Sequence, residues 1–131
     1  MLCLITYNSI NFIRMNIEDK IKTIVAALED IKARDITVLN TAKLTSLFER
    51  MVIASGESNR QTKALANHVR DKLKEANEYV GNMEGEQTGE WVLLDLGDVV
   101  VHVMQPAVRA LYNLEELWNA GEAVRTKSKG T

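Results

Sequence analysis

Apolar positions recur along this chain in two rhythms, and the changes from one to the other divide it into elements. From Ile17 they fall at Ile17, Ile21, Ile24, Val25, Leu28 and Ile31. That spacing makes one continuous stripe on a helix running to about Ala33. Asn16 stands where an N-cap belongs, with Asp19 three residues on. The other face carries Glu18, Asp19, Lys22, Glu29, Asp30 and Lys32, so the stripe reads as core. A second stripe, Leu65, Val69 and Leu73 with Ala66 and Ala76 beside it, predicts a helix from about Asn59 to Glu78. Between the helices, Ile36 to Leu39 suits a short strand. Residues 41–47 read as a connection, and Phe48 to Ala54 as a second strand.

The second half changes rhythm. Tyr79 to Met83 reads as a strand, followed by a polar linker over 84–90. Trp91 to Met104 then gives two apolar runs, 91–94 and 99–104, joined by Asp95-Leu96-Gly97-Asp98. Val, Leu and Trp suit a pleated surface, and Gly97 takes φ > 0 without steric cost, so the stretch predicts a β-hairpin. Pro106 favours a helix start, and Leu111, Tyr112, Leu114, Leu117 and Trp118 are placed to cover part of the core. A strand, a helix and a further strand suggest a crossover with parallel neighbours. The hairpin adds two antiparallel strands. The expected fold is a single α/β (mixed α+β) domain over 15–118, with a mixed sheet of about five strands flanked by helices. Residues 1–14 read as an N-terminal extension, with Met15 a candidate start, and 119–131 as a flexible tail.

Composition narrows the function classes. The net charge of −2, from 16 basic and 18 acidic side chains, argues against nucleic-acid binding along a backbone. The single Cys3 excludes an internal disulfide framework and a cysteine-based zinc site. No apolar run is long enough to span a bilayer, which leaves a soluble cytoplasmic protein as the default.

Candidate chemistry concentrates at the hairpin. Asp95 and Asp98 stand within four residues, and strand parity puts Asp98, Val100, His102 and Met104 on one face. One reading is a divalent-metal or nucleotide-dependent enzyme using Asp95, Asp98 and the Ser55-Gly56-Glu57-Ser58-Asn59-Arg60 turn. That turn lacks the spacing of a phosphate loop, and Ser58 with Gln61 reads more simply as a helix cap. No second histidine, cysteine or carboxylate cluster at ligand spacing accompanies His68 or His102. The reading favoured is docking: Asp95 and Asp98 shape the turn and meet a partner. Leu96, apolar between them at the turn tip, is then expected to be exposed and to enter a partner's pocket, the alternative being a loop leucine that lies back on the protein's own surface.

The stretch Trp91 to Met104, followed by Arg109, Leu111-Tyr112 and Leu114-Glu115-Glu116-Leu117-Trp118, resembles the ribosomal silencing factor (Iojap) family. Ala54 to Arg60, Met83-Glu84-Gly85 and the Asp35-Ile36 strand start fit the same pattern, so the resemblance spans about residues 17–118. The chain departs from it at Asn40, at Phe48-Glu49, near Asn67 and at Pro106. The resemblance implies a nucleotidyltransferase-like architecture without catalysis, cofactor or metal. It implies binding to the large ribosomal subunit through that subunit's fourteenth protein. There the factor would block joining of the small subunit, damp translation under nutrient limitation and aid large-subunit maturation. It places Trp91 and Leu96 on the docking surface, with Asp95 and Asp98 as rim charges. An exposed edge strand leaves room for a homodimer when free.

Overall fold

The computed structural model describes residues 15–118 and the backbone of Ala123–Arg125; the expected extension over 1–14 lies outside the described residues. The chain order is α1 (Ile17–Asp30), β1 (Arg34–Asn40), β2 (Arg50–Ser55), α2 (Asn59–Glu75), β3 (Met83–Glu84), β4 (Trp91–Asp95), β5 (Val99–Met104), α3 (Pro106–Tyr112), α4 (Leu114–Leu117) and β6 (Ala123–Arg125). Among the described residues the sheet has six strands in the order β3-β4-β5-β2-β1-β6. There β2 and β5 pair in parallel, and the other neighbouring pairs are antiparallel.

Both long helices begin where the sequence places them. Asn16 accepts a hydrogen bond from Asp19 N at 2.8 Å, and Ser58 Oγ accepts from Gln61 N at 3.1 Å. Gln61 Oε1 in turn accepts from Glu57 N at 2.6 Å, so the reciprocal arm of the cap reaches one residue before Ser58. Both helices end earlier than their stripes predict. Lys32 and Asn77 adopt left-handed φ of 63° and 60°, which turns the chain out of each helix.

The crossover joins different strands from those expected. The strand predicted over Tyr79 to Met83 shrinks to Met83–Glu84 and pairs antiparallel with β4. The parallel neighbour of β2 is β5, in register from Arg50 opposite Val99 to Ser55 opposite Met104. The physical reason is burial. Val99–Met104 is apolar enough to sit between strands with both faces covered, whereas Tyr79 is exposed and followed by Gly81 and Asn82. Ala123–Arg125, inside the stretch expected to be a flexible tail, pairs with β1 and supplies the sixth strand.

Helices α1 and α2 cover one sheet face. Ile24, Ala27 and Leu28 of α1 and Leu65, Val69 and Leu73 of α2 are buried against Ile36, Val52, Ala54, Val92, Leu94, Val99, Val101 and Val103. Each such Leu, Ile or Val contributes about 1.5–3 kcal/mol by leaving water. On the opposite face a smaller cluster of Leu39, Met51, Ile53 and Met104 is covered by Val108, Leu114 and Trp118 from the C-terminal segment. Arg109 pins that segment down. Its guanidinium donates to Ser55 Oγ at 2.8 Å, to Thr37 Oγ1 at 3.2 Å and to Glu115 at 2.9 and 3.1 Å, all while the residue is buried.

Leu96 is the chief correction. It was expected to project from the hairpin turn; instead it is fully buried in the helix-covered core. Side chains alternate along a strand, and Val92 and Leu94 already point to the helices. Leu96 continues that alternation beyond the last residue of β4. The turn then closes with Leu96 N donating to Val99 O at 2.9 Å and Gly97 at φ 88°. Lys20, on the apolar stripe of α1, fastens the turn from behind. Its ammonium, 1% exposed, donates to Leu96 O at 2.8 Å and to Asp98 Oδ1 at 2.5 Å, with Glu78 Oε1 at 3.8 Å.

Two stability changes follow. Leu96→Glu places an unpaired carboxylate in the core and should cost about 4 kcal/mol or more, seen as loss of cooperative urea unfolding. Lys20→Met strands the carboxylate of Glu78, whose side chain is 3% exposed, and should cost about 3 kcal/mol. An unfolding midpoint unchanged in Lys20→Met would show that the buried ammonium does not hold the hairpin.

Candidate functional site

Strands β4 and β5 are apolar on both faces, but the helix layer covers only one. Trp91, Leu93 and Asp95 of β4 alternate with buried Val92 and Leu94, and Leu93 stands directly opposite His102. The C-terminal helices cover the β1–β2 side of this second face. Towards β4 a groove of about 590 Å³ stays open among the described residues. Leu93, Val100 and His102 line it on the sheet, Leu47 and Phe48 come from the β1–β2 connection, and Leu114 and Trp118 from the C-terminal segment. Leu47 is 78% exposed and Tyr79, at the groove's other side, 59%. Large apolar side chains at that exposure, beside a groove, mark a surface built to be covered.

Of the four residues singled out in the sequence, the structure brings one into the groove. Asp95 lines it, and its Oδ1 accepts from Gly97 N at 2.9 Å, which sets the turn. Trp91 is half-buried beside it. Its indole packs against Tyr112 with ring centroids 4.9 Å apart, and its Nε1–H donates to His102 Nδ1 at 2.9 Å. Leu96 lies on the opposite side of the sheet, in the helix-covered core. Asp98 is engaged by Lys20, so its charge is matched within the protein. The two aspartates thus have different partners. Among the described residues no group of three or more His, Cys, Asp or Glu side chains is arranged to hold a metal ion. The Ser55–Arg60 turn is likewise committed: Ser55 holds Arg109, Glu57 pairs with Arg34 at 2.6 Å, and Ser58 caps α2.

Sequence reasoning missed Leu93, Val100, Leu47, Phe48 and Tyr79 as site residues. His102 accepts its hydrogen bond from Trp91, and the ring lines the groove. The signal that would have found the site was the apolarity of 91–94 and 99–104, broken only by His102. A strand with one wet face alternates with polar residues, and these two do not.

Burial lowers the His102 pKa from 6.5 to about 4. The unfolded chain therefore binds a proton at higher pH than the native one, and stability present at neutral pH falls as pH drops from about 6.5 through 4. His102→Gln should remove this component, about 3 kcal/mol at its limit, from the acid unfolding profile followed by circular dichroism. An identical acid limb in both proteins would contradict it.

Comparisons with known proteins give the family. A family model described as "Ribosomal silencing factor during starvation" matches residues 14–130. A ribosomal silencing factor of Chromobacterium violaceum is 60% identical over 104 residues, covering 79% of this chain and 85% of that protein. A mouse protein named mitochondrial assembly of ribosomal large subunit protein 1 is 32% identical over 102 residues, covering 75% of this chain and 44% of that one. A crystal structure of a Chromobacterium violaceum protein superposes with a TM-score of 0.79 at 53% identity, covering 89% of this chain and 98% of the other. Among the described residues no helix is long and apolar enough to cross a membrane. The chain belongs to the ribosomal silencing factor family.

Proposed function

We propose that this protein is a translation repressor that docks on the large ribosomal subunit through the open face of β4 and β5. The observation that carries the reading is the uncovered apolar groove beside Leu93 and Val100, in a chain whose relatives are named for silencing ribosomes. The contact is assigned to the subunit's fourteenth protein, where the bound factor stands in the path of the small subunit and prevents joining. The name of the mouse relative supports a second use of the same contact, in large-subunit assembly.

The surface suits a protein partner. An apolar anchor enclosed by a polar rim concentrates binding energy, and aromatic residues such as Phe48, Trp91 and Trp118 are typical of such centres. Asp95 at the groove and a net charge of −2 favour a basic partner surface and speed encounter more than they deepen affinity. Trp91 keeps its place in this reading, as the indole that buttresses the groove. Asp98 and Leu96 act from behind, by fixing the turn that carries Asp95. The silencing itself requires no reaction: occupancy of the joining surface is sufficient, so repression scales with the fraction of large subunits bound.

Leu93→Asp and Val100→Asp put a charge into the groove at half-exposed positions and should leave the fold intact. Each should weaken co-sedimentation with isolated large subunits by about thirtyfold, the scale of a lost central contact. Both should also restore subunit reassociation in the presence of the protein. Folded variants that still pellet with large subunits and still block reassociation would overturn the docking face.

A further inference from the structure

Trp91 and His102 are diagonal neighbours on the open face, since Trp91 stands opposite Met104 and Leu93 opposite His102. An indole nitrogen only donates, so His102 Nδ1, 2.9 Å from Trp91 Nε1, is the unprotonated acceptor. A neutral imidazole then carries its proton on Nε2. Burial keeps the ring neutral at physiological pH, its pKa lying near 4. Nε2 has no hydrogen-bond partner among the described residues, and no fully buried side-chain nitrogen or oxygen there is left unpaired. His102 lines the groove, so the Nε2–H is open to whatever fills it.

We propose that the pair makes the groove directional: Trp91 fixes the tautomer, and His102 Nε2–H is the donor that selects a partner carrying an uncharged acceptor beside its apolar anchor. The acceptor is a backbone carbonyl or a carboxamide oxygen. A carboxylate fits poorly, because Asp95 lines the same groove and one neutral N–H does not repay the desolvation of an anion. A purely apolar segment is disfavoured for the converse reason, since it would cover the donor and leave it unpaired. Trp91 is therefore a positioning residue and His102 a specificity-determining contact. This inference rests on the docking reading given above.

Two measurements test it. A long-range proton–nitrogen spectrum of the free protein should show His102 with Nδ1 bare and Nε2 protonated; the reverse tautomer, or a mixture, overturns the proposal without any binding assay. The second compares His102→Asn with His102→Gln in large-subunit co-sedimentation, with folding of each checked by near-ultraviolet circular dichroism. Asn keeps an oxygen near Nδ1 for the indole but has nothing at Nε2, whereas Gln can extend an N–H to the position of Nε2. His102→Asn should bind about tenfold more weakly than His102→Gln, the scale of one hydrogen bond lost from an apolar site. Equal binding by the two variants, or tighter binding by His102→Asn, overturns the donor role. Wild-type protein that fails to bind large subunits at all overturns the docking reading and the inference together.

Discussion

A strand that is apolar on both faces must have both faces covered, and most of this molecule follows from how that requirement is met. Trp91–Asp95 and Val99–Met104 place Val92, Leu94, Val99, Val101 and Val103 towards α1 and α2, where they are fully buried. Their other face carries Trp91, Leu93, Val100 and His102, and the C-terminal helices reach only part of it. Arg109 holds those helices over the β1–β2 side through Thr37 and Ser55, so the cover cannot spread towards β4 without breaking a buried network. The uncovered remainder is a consequence of the fold, and in the function proposed above a partner protein completes it.

The hairpin that presents this face is made rigid from the opposite side. Lys20 is the buried cation of α1, and it reaches the turn through Leu96 O and Asp98. Glu78 completes the arrangement by accepting from Met15 N at 2.9 Å while lying near the same ammonium. An ion taken from water is costly unless it is paired and hydrogen-bonded, and here three oxygens surround it. The start of α1, the end of the α2 region and the hairpin turn are thereby joined at one point. Leu96 fills the core beside it, so the turn cannot lift without exposing both an apolar side chain and a charge. The groove's geometry is thus set before a partner arrives, which lowers the ordering cost of binding.

Much of this was legible in the chain, and the failures have physical causes. The helix stripes, both N-caps, Pro106 and the hairpin follow from local spacing and were read from it. Lys20 sits at the stripe position between Ile17, Ile21 and Ile24, so its inward direction was readable. Its partners, 76 and 78 residues away, were not. Leu96 stands in a turn between two aspartates, where exposure is the ordinary expectation, but the parity of β4 carries one step further and takes it into the core. The early helix ends at Lys32 and Asn77 depend on left-handed residues other than glycine, which leave little trace in sequence. Likewise β6 forms from a polar stretch because β1 offers it an edge. For the site, the family resemblance pointed to Trp91, Asp95, Leu96 and Asp98 of this hairpin, and of these only Asp95 lines the groove. The groove itself draws on segments from β2's approach to α4 that only the fold brings together.

The central claim concerns which face of the protein meets the ribosome. A cryo-electron microscopy map of the protein bound to isolated large subunits tests it most directly. The account predicts that Leu93, Val100 and His102 are covered by a large-subunit protein, with α1 and α2 facing away. A map in which the helical layer makes the contact and the groove stays open to solvent would contradict it.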